Sequence, residues 1–168
     1  VVGGSLGARA LNEIVPQALA LIAAAQRPVV THQSGASQID ALRANYEAAG
    51  VQADCTPFIE DTATAFADAD IIVCRAGAST VTEIAAVGAA AIFVPFPSAV
   101  DDHQTTNAQF LVDAGGGWLV QQRDLTPEGL SQMLLKLERP ALVDIALKAK
   151  NMQKINATRE VVTACEEL

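Results

Sequence analysis

The sequence predicts one doubly wound α/β domain with a mostly parallel, Rossmann-like sheet, on three observations. Short runs rich in Val and Ile alternate with longer helical stretches along all 168 residues. Runs such as Ile71-Ile72-Val73 are apolar at every position rather than every second one, as strands covered by helices on both faces are. The steady succession of strand, helix and strand is the pattern that right-handed crossovers build into a parallel sheet. The length suits a single domain able to close a real core.

The chain opens on Val1-Val2-Gly3-Gly4, which reads as a strand cut short and hence as part of something larger. A helix over 8–25 follows, with Leu11, Ile14, Val15, Ala18 and Ile22 recurring at three- and four-residue steps as one buried stripe. Further strands are expected at 28–32, 51–57, 71–74, 90–94 and 118–121, each short and bounded by Gly, Pro or Asp. Helices are expected between them at 37–49, 62–67, 80–87, 103–114 and 127–137. A last helical stretch runs from 141 to the C-terminus, after Pro140.

Composition excludes several function classes. Apolar residues make up 51% of the chain, too many for a disordered segment. The formal charge of −8 argues against a nucleic-acid binder, which would carry a basic face. Charge is uneven: residues 1–135 hold 5 basic and 14 acidic side chains, residues 136–159 hold 6 basic and 2 acidic. That basic stretch reads as a solvated helix face, or as a surface for an anionic membrane or partner. No apolar run reaches the ~18 residues of a membrane span; the longest, 84–100, is broken by Gly88, Pro95 and Pro97. Nothing at the N-terminus reads as a signal peptide. Cys55, Cys74 and Cys165 are odd in number and contain no Cys-x-x-Cys pair, so neither a disulfide framework nor a zinc site is indicated, and a reducing cytoplasm fits best.

Ligands of a doubly wound sheet sit beyond the carboxyl ends of its strands, so function belongs in the loops that follow each strand. After the first comes Gly3-Gly4-Ser5-Leu6-Gly7-Ala8-Arg9 and a helix. Glycines let the backbone turn sharply and approach a ligand, and the helix start offers free N–H groups to a phosphate. The spacing is neither Gly-x-Gly-x-x-Gly nor a P-loop, so the run is either an anion site or a tight turn. After the fourth strand comes Arg75-Ala76-Gly77-Ala78-Ser79-Thr80-Val81-Thr82-Glu83. Thr80-x-x-Glu83 has capping-box spacing, and Val81, Ile84, Ala85 and Gly88 make the inward stripe. Glu83 therefore either caps the helix from its first turn or accepts two hydrogen bonds from the vicinal hydroxyls of a ribose. After the fifth strand Asp101-Asp102-His103-Gln104 begins a helix, with Asp101 and Gln104 as a second capping pair or Gln104 as a reader of sugar hydroxyls. Consecutive residues on a helix diverge, which disfavours a metal site there. Asp68-Ala69-Asp70 resembles a metal motif but precedes a strand, on the wrong edge. His32 ends the second strand, facing the ligand side or packed at the strand terminus. A phosphate loop, a ribose carboxylate and an amide reader on one edge together ask for a nucleotide-sugar.

These residues, with His32-Gln33-Ser34-Gly35, Phe58-Ile59-Glu60-Asp61 and Val94-Pro95-Phe96-Pro97 in the same order, carry a family resemblance over essentially the whole chain. The chain resembles the C-terminal domain of the bacterial N-acetylglucosaminyltransferases that convert lipid I to lipid II in peptidoglycan synthesis. The resemblance implies the donor-binding half of a two-domain, inverting GT-B glycosyltransferase, with UDP-GlcNAc as donor and no required metal or other cofactor. It implies that Gly4, Ser5, Leu6 and Gly7 hold the diphosphate and that the backbone at Ile59 pairs with uracil. Ala78, Ser79, Thr80, Val81, Thr82 and Glu83 would line the nucleotide, with Glu83 on the ribose. Gln104 would contact the GlcNAc hydroxyls with His103 beside it, where some members carry a second glutamine. Arg75 would add charge near the phosphates or make a surface ion pair. Lipid I and the general base would belong to an N-terminal domain outside this chain, so the chain alone is expected to bind donor and transfer nothing. The implied location is peripheral, at the cytoplasmic face of the inner membrane, with membrane contact through the other domain. Two rivals share the features: a stand-alone nucleotide-sugar-binding subunit of a split GlcNAc transferase, and a UDP-GlcNAc 2-epimerase.

Overall fold

The computed structural model describes residues 1–4, 8–97 and 102–167. Its strands are β1 (Thr31–Gln33), β2 (Asp54–Thr56), β3 (Ile72–Cys74), β4 (Ala91–Phe93) and β5 (Trp118–Leu119). Its α-helices are α1 (Arg9–Ala20), α2 (Ile39–Ala49), α3 (Thr62–Ala67), α4 (Ala78–Val87), α5 (His103–Val112), α6 (Pro127–Lys136), α7 (Arg139–Asn151) and α8 (Ala157–Glu166). β1 pairs with β2, and β3, β4 and β5 pair in that order, all in parallel. Val2 bridges in parallel to Gln33 on one side and to Cys74 on the other, joining the two ladders. The spatial order is therefore β2, β1, Val2, β3, β4, β5. With the Val2 segment counted as the first strand, this is the order of a doubly wound sheet, whose direction of winding reverses between that segment and β3.

Alternate strand residues feed two separate cores, as both-sided apolar runs require. Val73, Ile92 and Val94 pack with Leu11, Val15 and Leu19 of α1, Leu42 and Tyr46 of α2 and Leu130 of α6. Ile72, Cys74, Ala91 and Phe93 pack on the other face with Val81, Ile84 and Ala85 of α4, Ala108 and Leu111 of α5 and Phe66 of α3. Helix α7 docks on α4, where the Lys150 ammonium donates to Ala86 O near the end of that helix.

Several boundaries differ from the sequence reading, each for a local reason. Helix α1 stops at Ala20 rather than 25 because Arg27 returns to its end, donating from Nε to Leu19 O (3.0 Å) and Ile22 O (2.8 Å). A cation bonded to the last carbonyls is a good C-terminal stop. Within α1, Pro16 has no N–H for the carbonyl of Asn12, and Asn45 Nδ2 of α2 donates to that oxygen instead, at 2.9 Å. The strand expected at 28–32 begins only at Thr31, where the Val1 ammonium donates to Thr31 O at 2.7 Å; residues 28–30 line an open cavity of about 530 Å³ at the amino edge of the sheet. Helix α4 begins at Ala78, two residues early. The expected C-terminal helix is two helices, α7 and α8, separated at 152–156, and every described residue of α8 is exposed.

The basic stretch is partly paired within the chain, mostly at its surface. Arg139 pairs with Asp70 at 3.4 Å, Lys148 with Asp144 at 2.6 Å, and Lys150 is the α4 contact above.

Candidate functional site

The loops after Val2, β1, β2, β3 and β4 share the carboxyl edge, and two of them flank the reversal point. The first turns at Gly4, whose φ of +81° is the left-handed region open to glycine and costly to other residues. Ser5, Leu6 and Gly7 lie outside the described residues. Gly4 N–H donates to Gln33 Oε1 at 3.1 Å, and Gln33 Nε2 donates to Gly4 O at 3.0 Å and to Pro57 O at 3.3 Å. The Gly4 amide is thus engaged by Gln33. Helix α1 then starts with no side-chain cap at Ala8, so among the described residues no N-cap side chain takes its first-turn amides. Arg9 is exposed and holds Glu13 at 2.7 Å.

Across the reversal point, α4 also starts without a side-chain cap, at Gly77. This corrects the capping-box reading of Thr80 and Glu83. Because α4 starts at Ala78, Thr80 is its third residue and Glu83 its sixth, too far along to reach the orphan amides. Those of Ala78, Ser79 and Thr80 face the loop side unpaired by any side chain of the helix start. Thr82 Oγ1 donates to Ala78 O at 2.7 Å. The Val81 side chain is buried in the core and its N–H donates to Gly77 O at 3.0 Å. Ser79 and Glu83 are exposed and four residues apart, so they share one face.

Arg75 makes no ion pair among the described residues. Its guanidinium donates to Val94 O (3.0 Å), Pro95 O (3.1 Å) and Gln122 Oε1 (2.6 Å), and lies 5.4 Å from the centre of the Phe96 ring. Half-buried, it straps the β3 loop to the loops after β4 and β5; burial lowers its pKa from the usual value. Gln104, on the first turn of α5, accepts at Oε1 from Phe96 N–H (3.0 Å) and Ala76 N–H (3.3 Å). Asn107 Nδ2 donates to Ala76 O at 3.1 Å, completing the hold of α5 on the β3 loop. The capping partner read for Gln104, Asp101, lies outside the described residues. Asp102 is the N-cap, at φ +52°, with Oδ1 accepting from Thr105 Oγ1 at 2.7 Å. His103 is exposed beside it.

After β2, Asp61 caps α3 by accepting from Thr64 N–H at 2.9 Å and Thr64 Oγ1 at 2.7 Å, which holds its carboxyl below the usual carboxylate range. Ile59 is half-buried, and among the described residues no hydrogen bond engages its backbone. His32 is the middle residue of β1 rather than its end, and it is packed rather than facing a ligand: it is fully buried, between Tyr46 Oη (2.9 Å from Nδ1) and Asn12 Oδ1 (3.1 Å from Nε2). Burial pushes its pKa down to about 3, with the Val1 ammonium adding to the shift. Asp70 is at the opposite edge, with Arg139.

The structure therefore brings Gly4, Ala78, Ser79, Thr80, Glu83, His103 and Gln104 to the carboxyl edge and turns Val81 into the core. Sequence reasoning missed Gln33, Asn107 and the strap made by Arg75 and Gln122. The one available signal was a glutamine following a strand-end histidine, a polar residue where the sheet buries its chain. The edge thus offers two uncapped helix starts on either side of the reversal point, suited to anionic groups, and an exposed carboxylate suited to hydroxyls.

Known proteins resemble this chain in sequence and fold. A family model described as the glycosyltransferase family 28 C-terminal domain matches residues 1–165. The chain is 79% identical over all its 168 residues to the UDP-N-acetylglucosamine–N-acetylmuramyl-(pentapeptide) pyrophosphoryl-undecaprenol N-acetylglucosamine transferase of Paracidovorax citrulli, covering 47% of that protein. It is 76% identical to the protein of the same name from a Polaromonas species, covering 43% of it. The crystal structure of Acinetobacter baumannii MurG superposes with a TM-score of 0.90 at 46% identity, over 99% of this chain and 49% of that one. The glycosyltransferase VinC, solved with DTDP, matches with a TM-score of 0.63 at 21% identity over 94% of this chain and 38% of that one, a likeness of fold alone. The chain thus spans less than half the length of each of these proteins.

Proposed function

Because the chain belongs to the glycosyltransferase family 28 C-terminal domains, we propose that it binds UDP-GlcNAc as the donor half of a GT-B transferase that moves GlcNAc to lipid I, forming lipid II. The observation that carries this reading is the uncapped start of α4 with exposed Glu83 one turn along, facing a glycine turn across the reversal point. Amides there suit a diphosphate, and a carboxylate within one helical turn suits the ribose diol.

Glu83 accepts hydrogen bonds from the two ribose hydroxyls, and the backbone of Ile59, unpaired among the described residues, reads uracil. The turn at Gly4, Ser5, Leu6 and Gly7 and the amides of Ala78, Ser79 and Thr80 hold the diphosphate. Gln104 has its oxygen committed to two backbone amides, which leaves its Nε2 to donate to a GlcNAc hydroxyl beside His103. Arg75 acts by holding the β3 and β4 loops together rather than as a free charge. In the transfer, an acceptor hydroxyl oxygen bonds to the anomeric carbon while the bond to UDP breaks, with inversion. The electron pair leaves with UDP, whose charge is held by helix-end amides, an electrostatic role that requires no metal. The acceptor's proton goes to a base outside this chain.

The nucleotide-sugar reading is tested by titrating the chain with UDP-GlcNAc, UDP, GDP and dTDP: binding selective for the uridine nucleotides supports it, and none or unselective binding overturns it. Supplying a lipid I analogue tests the isolated chain, which is expected to release no UDP. UDP release by the chain itself contradicts the division of labour, and conversion of donor to the manno sugar identifies an epimerase.

A further inference from the structure

We infer that Gln33 is a positioning residue that carries the sheet's hydrogen-bond ladder into the glycine turn and sets its distance from the base-reading loop; the inference rests on the donor-binding reading above. On one edge of β1, Gln33 N–H donates to Val1 O at 2.9 Å and Gly3 N–H donates to Gln33 O at 3.3 Å, an ordinary parallel ladder. That ladder cannot continue through backbone once Gly4 turns away at φ +81°. The side chain takes over. Gln33 Oε1 accepts from Gly4 N–H and Nε2 donates to Gly4 O, so the amide acts as one more peptide group facing the turn. The second hydrogen of Nε2 goes to Pro57 O, two residues before Ile59.

One side chain, 3% exposed, thus has both donors and its acceptor committed to two loops that meet opposite ends of a nucleoside diphosphate. Glutamate would present a carboxylate to two carbonyl oxygens, and methionine would keep the shape without any donor. Neither can hold the turn. Because Gly4 N–H is already used, the diphosphate draws on other amides, those of Ala78, Ser79 and Thr80 among them.

The test compares UDP with uridine, since the turn serves only the phosphates and takes the two shorter of the Gln33 side-chain bonds, while the base-reading loop keeps its backbone and loses only the longer bond to Pro57 O. Titrations of the chain carrying Gln33, Gln33→Met or Gln33→Glu should show UDP affinity falling about tenfold or more in both variants, with uridine affinity changing less than about threefold. A folded variant that keeps the UDP-to-uridine ratio of the parent overturns the inference. If the variants do not fold, amide hydrogen exchange on the unaltered chain decides it: Gly4 N–H should exchange slowly and remain so on adding UDP. Fast exchange at Gly4 overturns the inference without touching the donor-binding reading. Absence of UDP binding by the unaltered chain overturns both.

Discussion

Acidification should weaken the fold through His32, by an amount the structure sets. The imidazole is fully buried, with its ring edge-to-face to Tyr46 at 5.7 Å. Asn12 Nδ2 donates to Gln38 Oε1, so Asn12 Oδ1 is the atom facing His32. His32 Nε2–H therefore donates to Asn12, and Nδ1 accepts the Tyr46 hydroxyl proton. Burial disfavours the charged ring and the nearby Val1 ammonium adds to that, so the pKa falls to about 3 and the neutral tautomer is kept. An unfolded histidine titrates near ~6.5, so below that pH the unfolded chain binds a proton the folded chain refuses. Stability is complete above pH ~6.5 and declines as pH falls toward 3, at about 1.4 kcal/mol per pH unit. The loss is about 2 kcal/mol at pH 5 and about 3 kcal/mol at pH 4. Urea unfolding of the chain and of His32→Gln at pH 7 and pH 5 isolates the effect, because carboxylates and the Val1 amine titrate in both. The account predicts that the difference between the two chains shrinks by about 2 kcal/mol on going to pH 5. An unchanged difference would refute the buried neutral network.

Two further substitutions probe the frame around the site. A Cβ at Gly117 would lie 2.7 Å from Ala91 O and 3.0 Å from the ring of buried Phe93, so Gly117→Ala should cost about 1–3 kcal/mol in urea unfolding; a neutral result would mean β5 packs differently. Arg75→Ala should lower both stability and UDP affinity, and Arg75→Lys should not restore either, because a single ammonium cannot reach two carbonyls and Gln122 at once. Restoration of UDP affinity by lysine would instead make Arg75 a charge on the phosphates.

What the sequence made legible follows from how far each signal is local. The both-sided apolar runs at Ile72–Cys74 and Ala91–Phe93 carry the parallel sheet because a covered strand must bury every side chain, and α3 ran over 62–67 as expected because Asp61 caps it from the adjacent residue. Loops after strands could be ranked because the winding of such a sheet gathers them on one edge. The errors share a different origin. Thr80 and Glu83 have capping-box spacing, yet Gly77 starts α4 earlier, a choice made by the turn from β3 and the hold of Gln104 and Asn107 on Ala76. Arg75 read as a charge near the phosphates or a surface ion pair because the carbonyls and Gln122 it bonds stand 19 to 47 residues away. Gln33 had no local partner at all; its role exists only once β1 lies beside the glycine turn. Pattern reading recovers what neighbours in sequence decide, and side chains that tie separate loops together escape it.

The central claim, that the carboxyl edge binds a uridine diphosphate sugar with Glu83 on its ribose, is tested most directly by calorimetric titration of UDP-GlcNAc into the chain and into Glu83→Ala. Glu83 is exposed and outside both cores, so the variant should fold and melt as the parent does. Loss of two hydrogen bonds to a charged acceptor should weaken binding by about 2 kcal/mol or more, roughly thirtyfold. Equal affinity in the two chains would contradict the claim.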